Sequence, residues 1–115
     1  DLGHSYLFIV RDGTVIRVRS KGNNIPLGIS GECVPEKGKV SLLPGDLVVL
    51  CTDGFEEQKD PEGNEYGLSR FFRMILRNRD RGLVAAKQAL FEDVDAFRKN
   101  QPGSDDMTIV MIEYK

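Results

Sequence analysis

Aspartates at the ends of two apolar runs are the residues of this sequence best suited to chemistry. The segment LLPGDLVVLCTDGF, residues 42–55, delivers Asp53 after an apolar run, and SDDMTIVMIEY, residues 104–114, starts a second run with Asp105 and Asp106. If these runs are antiparallel neighbouring strands, the end of the first and the start of the second share one sheet edge, so the acids converge. Converging carboxylates must share a proton or be held ionised by a cation.

Two interpretations of these aspartates follow from the residues alone. Oxygen ligands without a nearby His or Cys favour a hard ion such as Mg²⁺ or Mn²⁺. The alternative is structural: Asp53 would form a turn with Gly54, and Asp105 and Asp106 would begin a strand through an Asx turn. Spacing alone favours the structural interpretation, because Asp is common in turns.

The elements that position these acids are strands first, then helices, then a strand. Residues 4–11 and 14–19 are predicted strands joined by an Asp12-Gly13 hairpin turn. The runs at 47–51 and 107–114 are apolar at nearly every position, which predicts central strands covered on both faces.

Apolar residues recur at helical spacing from Leu68 to Leu76 and again from Leu83 to Phe97, so two adjacent helices are predicted, the second ending near Asn100. The arginines opposite the first stripe are interpreted as a solvated face; they are Arg70, Arg73 and Arg77. The expected fold class is α+β, with antiparallel sheet and a pair of antiparallel helices on one face.

Composition excludes several classes. The chain has 115 residues, 40% hydrophobic and 30% charged, which indicates one small domain, and its net charge of −2 gives no general attraction to nucleic acid. Cys33 and Cys51 lack the spacing of a zinc site or a disulfide framework and favour a reducing cytoplasm. No apolar run approaches the roughly 18 residues of a membrane span. Because the chain begins on Asp1 without Met, we expect a piece of a longer protein.

Five motifs in order carry a family resemblance: GHSYLFIVRDG, PLGI, LLPGDLVVLCTDGFEE, NEYGLSRF and SDDMTIVMIEY. This order resembles the C-terminal half of the metal-dependent type 2C (PPM) serine/threonine protein phosphatases, in the bacterial SpoIIE/RsbU branch. The resemblance extends from Gly3 to Glu113. It implies that residues 1–115 are the C-terminal portion of a single α-β-β-α phosphatase domain whose N-terminal portion is absent from the chain.

The resemblance also implies a chemistry. In the full domain, two ions, Mn²⁺ or Mg²⁺, would activate a water that attacks phosphoserine or phosphothreonine in line. It assigns Asp53 and Asp105 as ligands of one ion, with no catalytic residue beyond the metal ligands. Asp106 would point away or bond to backbone. The family's bridging Asp comes from an upstream DGMGHG-like segment that this chain lacks, so the chain alone is expected to be inactive.

Four further residues are candidates for the metal edge or for substrate contact, with Asp106 the alternative to the orientation given above: His4, Gly54, Glu57 and Asp106. His4 occupies the position of Asp in the GDSR motif of many eukaryotic members, and it is interpreted either as a metal-edge residue or as a strand-start histidine bonded to backbone. Glu57 lies where the branch often has Glu in TDGvtE. The acidic loop from Glu56 to Gly67 would form a flap that recognises a protein substrate, with most of its charges solvated.

The expected partners are a phosphorylated protein, by analogy an anti-sigma factor antagonist, and an upstream sensor or receiver domain, without nucleic acid or membrane contact. Homodimerisation is also expected, because half a sandwich exposes sheet edges and an apolar face. Two alternatives are a catalytically dead phosphatase-like binding module and a cyclic-nucleotide-type β-roll sensor. The sensor needs an Arg soon after its Gly-Glu pair, whereas no Arg follows Gly31-Glu32 until Arg70.

Overall fold

The structure is a computed structural model that describes residues 5–18, 32–33, 41–99 and 107–115. The chain divides into two units, one comprising Asp1–Cys51 and Ile109–Lys115 and the other Thr52–Thr108. The strands are β1 Ser5–Arg11, β2 Thr14–Val18, β3 Glu32–Cys33, β4 Leu47–Thr52 and β5 Ile109–Glu113. The helices are α1 Leu68–Asn78 and α2 Leu83–Arg98, separated by a 3₁₀ turn at Arg79–Arg81.

The strands form one sheet in the order β3-β2-β1-β4-β5. The β1–β2 pair is antiparallel, and its turn residues Asp12 and Gly13 have φ of 50° and 77°, the left-handed region that a tight hairpin of this kind requires. The β4–β5 pair is also antiparallel, from Leu47↔Glu113 to Cys51↔Ile109, whereas the two-residue β3 runs parallel to β2. The predicted α+β class with antiparallel pairing is confirmed.

The two faces of the β4–β5 pair differ in burial. Leu47, Val49 and Cys51 are buried on one face. On the other, Val48 and Leu50 pair with Ile112 and Val110, which are 58% and 45% exposed. Within the described residues, β5 is therefore an edge strand with one open apolar face, and the prediction of a central strand covered on both faces is wrong. A continuous apolar run indicates that both faces of a strand are suited to burial. It does not indicate whether a second layer of sheet or helix covers each face.

An ion pair between the half-buried Arg11 and the buried Asp46 stabilises the start of β4. Asp46 is 1% exposed, and its two carboxylate oxygens accept hydrogen bonds from Arg11 Nε at 2.9 Å and Nη2 at 2.7 Å. The Leu43 N–H donates to Asp46 Oδ2 at 2.8 Å, and Arg11 Nη2 also donates to the Ser41 carbonyl. The bidentate geometry and the extra backbone donor offset the desolvation of the carboxylate. The sequence indicated only a Pro-Gly-Asp turn here.

The two helices pack against each other as an antiparallel pair, since Arg70 at the start of α1 bonds to Asp93 in the second half of α2. Their shared core consists of Phe71, Phe72, Ile75, Ala86, Leu90 and Val94. The second helix ends at Arg98 because Lys99 adopts a left-handed conformation with φ of 50°. In the described ranges, neither helix is both long and apolar enough to cross a bilayer.

Replacing Asp46 tests its ion pair with Arg11. Asp46→Asn in the full-length protein is expected to lower the free energy of unfolding by about 2–3 kcal/mol, because it removes one charge of a bidentate pair. Urea unfolding measures the change. Asp12→Asn is the matched control: Asp12 is exposed at a left-handed position that Asn tolerates, so its effect is expected within about 0.5 kcal/mol. Equal effects of the two substitutions would contradict a stabilising role for Asp46.

Candidate functional site

Asp53 lies immediately after β4, at the start of a turn held by backbone hydrogen bonds. The Glu57 N–H donates to the Asp53 carbonyl at 3.1 Å, and the Gln58 N–H donates to the Phe55 carbonyl at 3.4 Å. Asp53 is half-buried, whereas Gly54 and Phe55 are buried. The Phe55 ring packs against Phe71 and Phe91 at centroid distances of 5.2 and 5.3 Å, so the turn is anchored in the helical core.

The start of β5 lies beside the end of β4, directly before Asp53. The Thr52 N–H donates to the Thr108 carbonyl at 3.1 Å, and the Thr108 N–H donates to Thr52 Oγ1 at 3.2 Å. These bonds continue the antiparallel pairing of β4 and β5 to its last residues, so the expectation that the two strands are antiparallel neighbours is confirmed. Asp105, Asp106 and His4 lie outside the described residues, and the approach of Asp53 to Asp105 stays a prediction.

A buried amide, missed in the sequence, supports this turn. Gln58 is 1% exposed, and its Nε2 donates to the Gly54 carbonyl at 2.8 Å. Its Oε1 accepts from Arg98 Nη1 at 3.2 Å. In the sequence, Gln58 stands among five acidic residues of a loop, a context typical of a solvent-exposed side chain. No sequence signal indicates that this side chain is buried. Only the contacts identify Gln58 as part of the site's support.

The acidic loop is shaped by one of its own carboxylates. Asp60 Oδ1 accepts hydrogen bonds from the N–H groups of Asn64 and Glu62, both at 2.9 Å, and Oδ2 accepts from Asn64 Nδ2 at 3.1 Å. These bonds, led by that from the Asn64 backbone, lower the pKa of Asp60. Asp60 is therefore a loop-capping residue, while Glu62 is exposed and Glu56 and Glu57 are half-buried.

A three-residue clamp attaches the end of this loop to α2. The Tyr66 hydroxyl donates to Asp93 Oδ2 at 2.6 Å, and Arg70 donates to both Asp93 oxygens at 2.8 and 3.0 Å. The Arg70 guanidinium also lies over the Tyr66 and Phe97 rings. The prediction that Arg70 belongs to a solvated face is wrong, because its partner is brought in by the other helix; Arg73 and Arg77 are exposed, as predicted.

The clamp perturbs its titratable groups. The pKa of the Asp93 carboxyl is held below its usual range, chiefly by the hydrogen bonds from Arg70. The pKa of the Tyr66 hydroxyl is raised, chiefly by burial and then by its bond to the Asp93 carboxylate. Both shifts favour the protonation states that the clamp requires near neutral pH.

The donor chemistry of the turn fits a hard divalent ion. Asp53 offers a carboxylate at the exit of a buried strand, and Glu56 and Glu57 on the same turn add only oxygen donors. Within the described residues, no three His, Cys, Asp or Glu side chains lie close enough together to hold a metal. A complete site would therefore require ligands from other segments, with Asp105 as the one that the resemblance assigns.

Comparisons with known proteins agree with the resemblance drawn from the motifs. The sequence model of the family described as Stage II sporulation protein E (SpoIIE) matches residues 1–115. Stage II sporulation protein E of Bacillus subtilis (strain 168) is 30% identical over 112 residues, which cover 96% of this chain and 13% of that protein. The SiaA-PP2C domain of Pseudomonas aeruginosa matches in structure with a TM-score of 0.67 and 24% identity, covering 97% of this chain and 44% of that one.

Acid titration tests the clamp. Asp93→Asn in the full-length protein is expected to cost about 1–3 kcal/mol at pH 7, because it leaves Arg70 without its carboxylate partner. Since the folded-state pKa of Asp93 lies below the ordinary 3.8, the contribution is present above about pH 4 and is lost as pH falls further. Urea unfolding at pH 7, 5 and 3 should therefore show the difference from the unsubstituted protein narrowing at pH 3.

The matched control for the clamp is Asp95→Asn. Asp95 also pairs with an arginine, Arg98, but its side chain is 68% exposed, so the expected effect is below about 0.5 kcal/mol. A difference for Asp93→Asn that is independent of pH would contradict the ion pair.

Proposed function

We propose that this chain, which belongs to the SpoIIE family, supplies part of a metal-dependent phosphatase that hydrolyses phosphoserine or phosphothreonine on a regulatory protein. Family membership and the PP2C-like fold support phosphatase function in general. The observation that supports the proposal for this chain is the position of Asp53. Asp53 is half-buried in a hydrogen-bonded turn at the end of β4, where Thr52 pairs with Thr108 at the start of β5.

The activity is proposed for a longer domain. This chain spans 44% of the solved SiaA-PP2C chain and 13% of the Bacillus subtilis relative. In our proposal, the chain supplies the C-terminal portion of the domain, with Asp53 and Asp105 as ligands of one ion, and the remaining ligands come from outside it. The 115-residue chain alone would then lack the complete site.

Two divalent ions, Mn²⁺ or Mg²⁺, would supply an activated water and would neutralise the charge of the phosphoryl oxygens. The contribution of this chain is positional. The end of β4 pairs with the start of β5 directly before Asp53, and the Phe55 anchor restricts the turn after Asp53. Ligands supported by rigid elements in this way lose little entropy when an ion binds.

The acidic loop is the proposed contact for the protein substrate. It is ordered by Asp60 and attached to α2 through Tyr66, and it follows the Asp53 turn directly. We extend the proposal to a phosphoserine on an anti-sigma factor antagonist, to an upstream sensor or receiver domain, and to a cytoplasmic location. The comparisons favour neither a catalytically dead module nor a cyclic-nucleotide sensor.

Metal-dependent turnover by the full-length protein tests the proposed function. Hydrolysis of a phosphoserine protein is expected to require Mn²⁺ or Mg²⁺ and to be abolished by a chelator. Asp53→Asn and Asp105→Asn are each expected to reduce turnover by more than about 100-fold, since the outer-shell partners of metal ligands alone are worth about 10–100-fold. The 115-residue chain by itself is expected to give no turnover above a metal-only control.

The control for this test is Asp80→Asn, which alters an exposed acid in the 3₁₀ turn and should leave turnover unchanged. Full activity of Asp53→Asn would contradict the metal-ligand assignment. Binding of the phosphoprotein without turnover in the unsubstituted protein would instead favour the catalytically dead module.

Self-association through the open sheet face is the proposed state of the isolated chain. Val110 and Ile112 expose apolar surface beside Val48, and a pocket of about 190 Å³ lined by Leu7, Ile9, Leu42 and Val48 adds to it. Sedimentation equilibrium of the 115-residue chain is expected to show a dimer, which Ile112→Thr should weaken by reducing the apolar contact area. Val84→Thr, at a 75%-exposed helix position, should not. A monomer at high concentration would contradict self-association.

A further inference from the structure

We propose that Gln58 is a positioning residue that ties the main chain of the Asp53–Gly54 turn to the end of α2 and thereby raises the affinity of the site for its divalent ion. The inference rests on the proposed function, because it assumes that Asp53 is a metal ligand. Gln58 itself would not touch the ion or the substrate. It would act through the backbone that carries Asp53.

The burial of Gln58 makes its hydrogen bonds obligatory. The residue is 1% exposed, so an unsatisfied side-chain amide would carry a desolvation cost. Both ends of the amide have partners: Nε2 donates to the Gly54 carbonyl at 2.8 Å, and Oε1 accepts from Arg98 Nη1 at 3.2 Å. The Gln58 carbonyl also accepts from the Tyr66 N–H at 2.7 Å. Gln58 thus connects three segments of the helical unit.

The contact with Gly54 restrains the backbone directly beside Asp53. Glycine has no Cβ, so the backbone at Gly54 can adopt more conformations than the backbone of any other residue type could. Hydrogen bonds therefore have to supply the restraint. The Asp53 carbonyl accepts from the Glu57 N–H, and the next carbonyl, that of Gly54, accepts from Gln58 Nε2. Two consecutive peptide groups after the proposed ligand are held in this way.

The contact with Arg98 connects Gln58 to the C-terminal end of α2. Arg98 is the last residue of α2, and Lys99 ends the helix in a left-handed conformation. The Arg98 guanidinium also bonds to Asp95, one turn earlier in the same helix. The path Gly54–Gln58–Arg98 thus links the turn that carries Asp53 to the end of α2.

A stabilising contact without any effect on the ion is the competing explanation, and the chain offers a matched control for it. Asn78 Nδ2 donates to the Met74 carbonyl at 2.8 Å, the same amide-to-carbonyl bond over the same separation of four residues as in Gln58 and Gly54. Asn78 ends α1 and lies in the part of the helical pair that precedes the 3₁₀ turn. Loss of this bond should affect stability without affecting the site.

The experiment compares Mn²⁺ binding and turnover in the full-length protein. Gln58→Met removes both side-chain hydrogen bonds of Gln58 with little change in side-chain size. Gln58→Glu keeps an acceptor for Arg98 but cannot donate to the Gly54 carbonyl when ionised. Asn78→Leu is the control. Water-proton relaxation measures the Mn²⁺ dissociation constant directly, and thermal unfolding measures stability. We expect both Gln58 variants to raise that constant by about 10–100-fold, the range for outer-shell partners of metal ligands.

The pattern of effects distinguishes positioning from stability. Turnover at saturating Mn²⁺ should change less than the Mn²⁺ concentration for half-activation in the Gln58 variants, and Asn78→Leu should leave both unchanged. Unchanged Mn²⁺ affinity in Gln58→Met, or an equal loss of affinity in Asn78→Leu, would overturn the inference. Unchanged affinity in Gln58→Glu alone would overturn the role of the Gly54 bond.

Asp53→Asn in the same binding assay separates this inference from the proposed function. If Asp53→Asn leaves Mn²⁺ binding intact, the metal-ligand assignment fails and the inference fails with it. If Asp53→Asn weakens binding while both Gln58 variants bind as the unsubstituted protein does, the proposed function stands and only the positioning role of Gln58 is overturned.

Discussion

The antiparallel pairing of β4 with β5 is the constraint on which the candidate site depends. It runs from Leu47↔Glu113 to Cys51↔Ile109 and is continued by the two hydrogen bonds between Thr52 and Thr108. Antiparallel strands place the end of one beside the start of the other, so segments far apart in sequence become neighbours. Asp53 directly follows β4, and in our proposal Asp105, which lies outside the described residues, precedes β5 at the same end of the pair. If the same strands were parallel, the end of β4 and the start of β5 would lie at opposite ends of the strand pair.

Hydrogen bonds between polar groups keep the turn and the acidic loop in one arrangement. Gln58 holds the Gly54 carbonyl, Asp60 caps the loop, and Tyr66 and Arg70 meet on Asp93. Of these groups, Gln58 is 1% exposed, so its amide would be costly to leave unpaired. The loop is rich in charge, yet its order comes from a few satisfied hydrogen bonds and from the aromatic anchor at Phe55. In our proposal, this order holds the carboxylates of the turn at defined positions.

The open apolar face of the sheet agrees with the finding that this chain spans only part of the solved structure that it matches. The chain matches a PP2C domain with a TM-score of 0.67 while spanning 44% of it, and Val110 and Ile112 remain exposed. An apolar face of this kind marks a contact surface on a protein in water. In our proposal, the isolated chain buries this face against a second copy. The fold class and the family thus follow from this chain, whereas the full activity is a property proposed for a longer domain.

The sequence by itself determined the local elements and the family. Alternating and continuous apolar runs specified β1, β2 and β4, the Asp12-Gly13 pair specified the hairpin, helical spacing specified α1 and α2, and the ordered motifs indicated the SpoIIE branch. These features depend on neighbours in sequence. Tertiary structure alone decided that Arg70 pairs with Asp93, that Asp46 is a buried ion-pair partner, that Gln58 is buried, and that β5 has an open face. The physical reason is that burial and pairing depend on residues 23 to 40 positions away in the Arg70–Asp93, Arg11–Asp46 and Gln58–Arg98 contacts, and no local pattern records such partners.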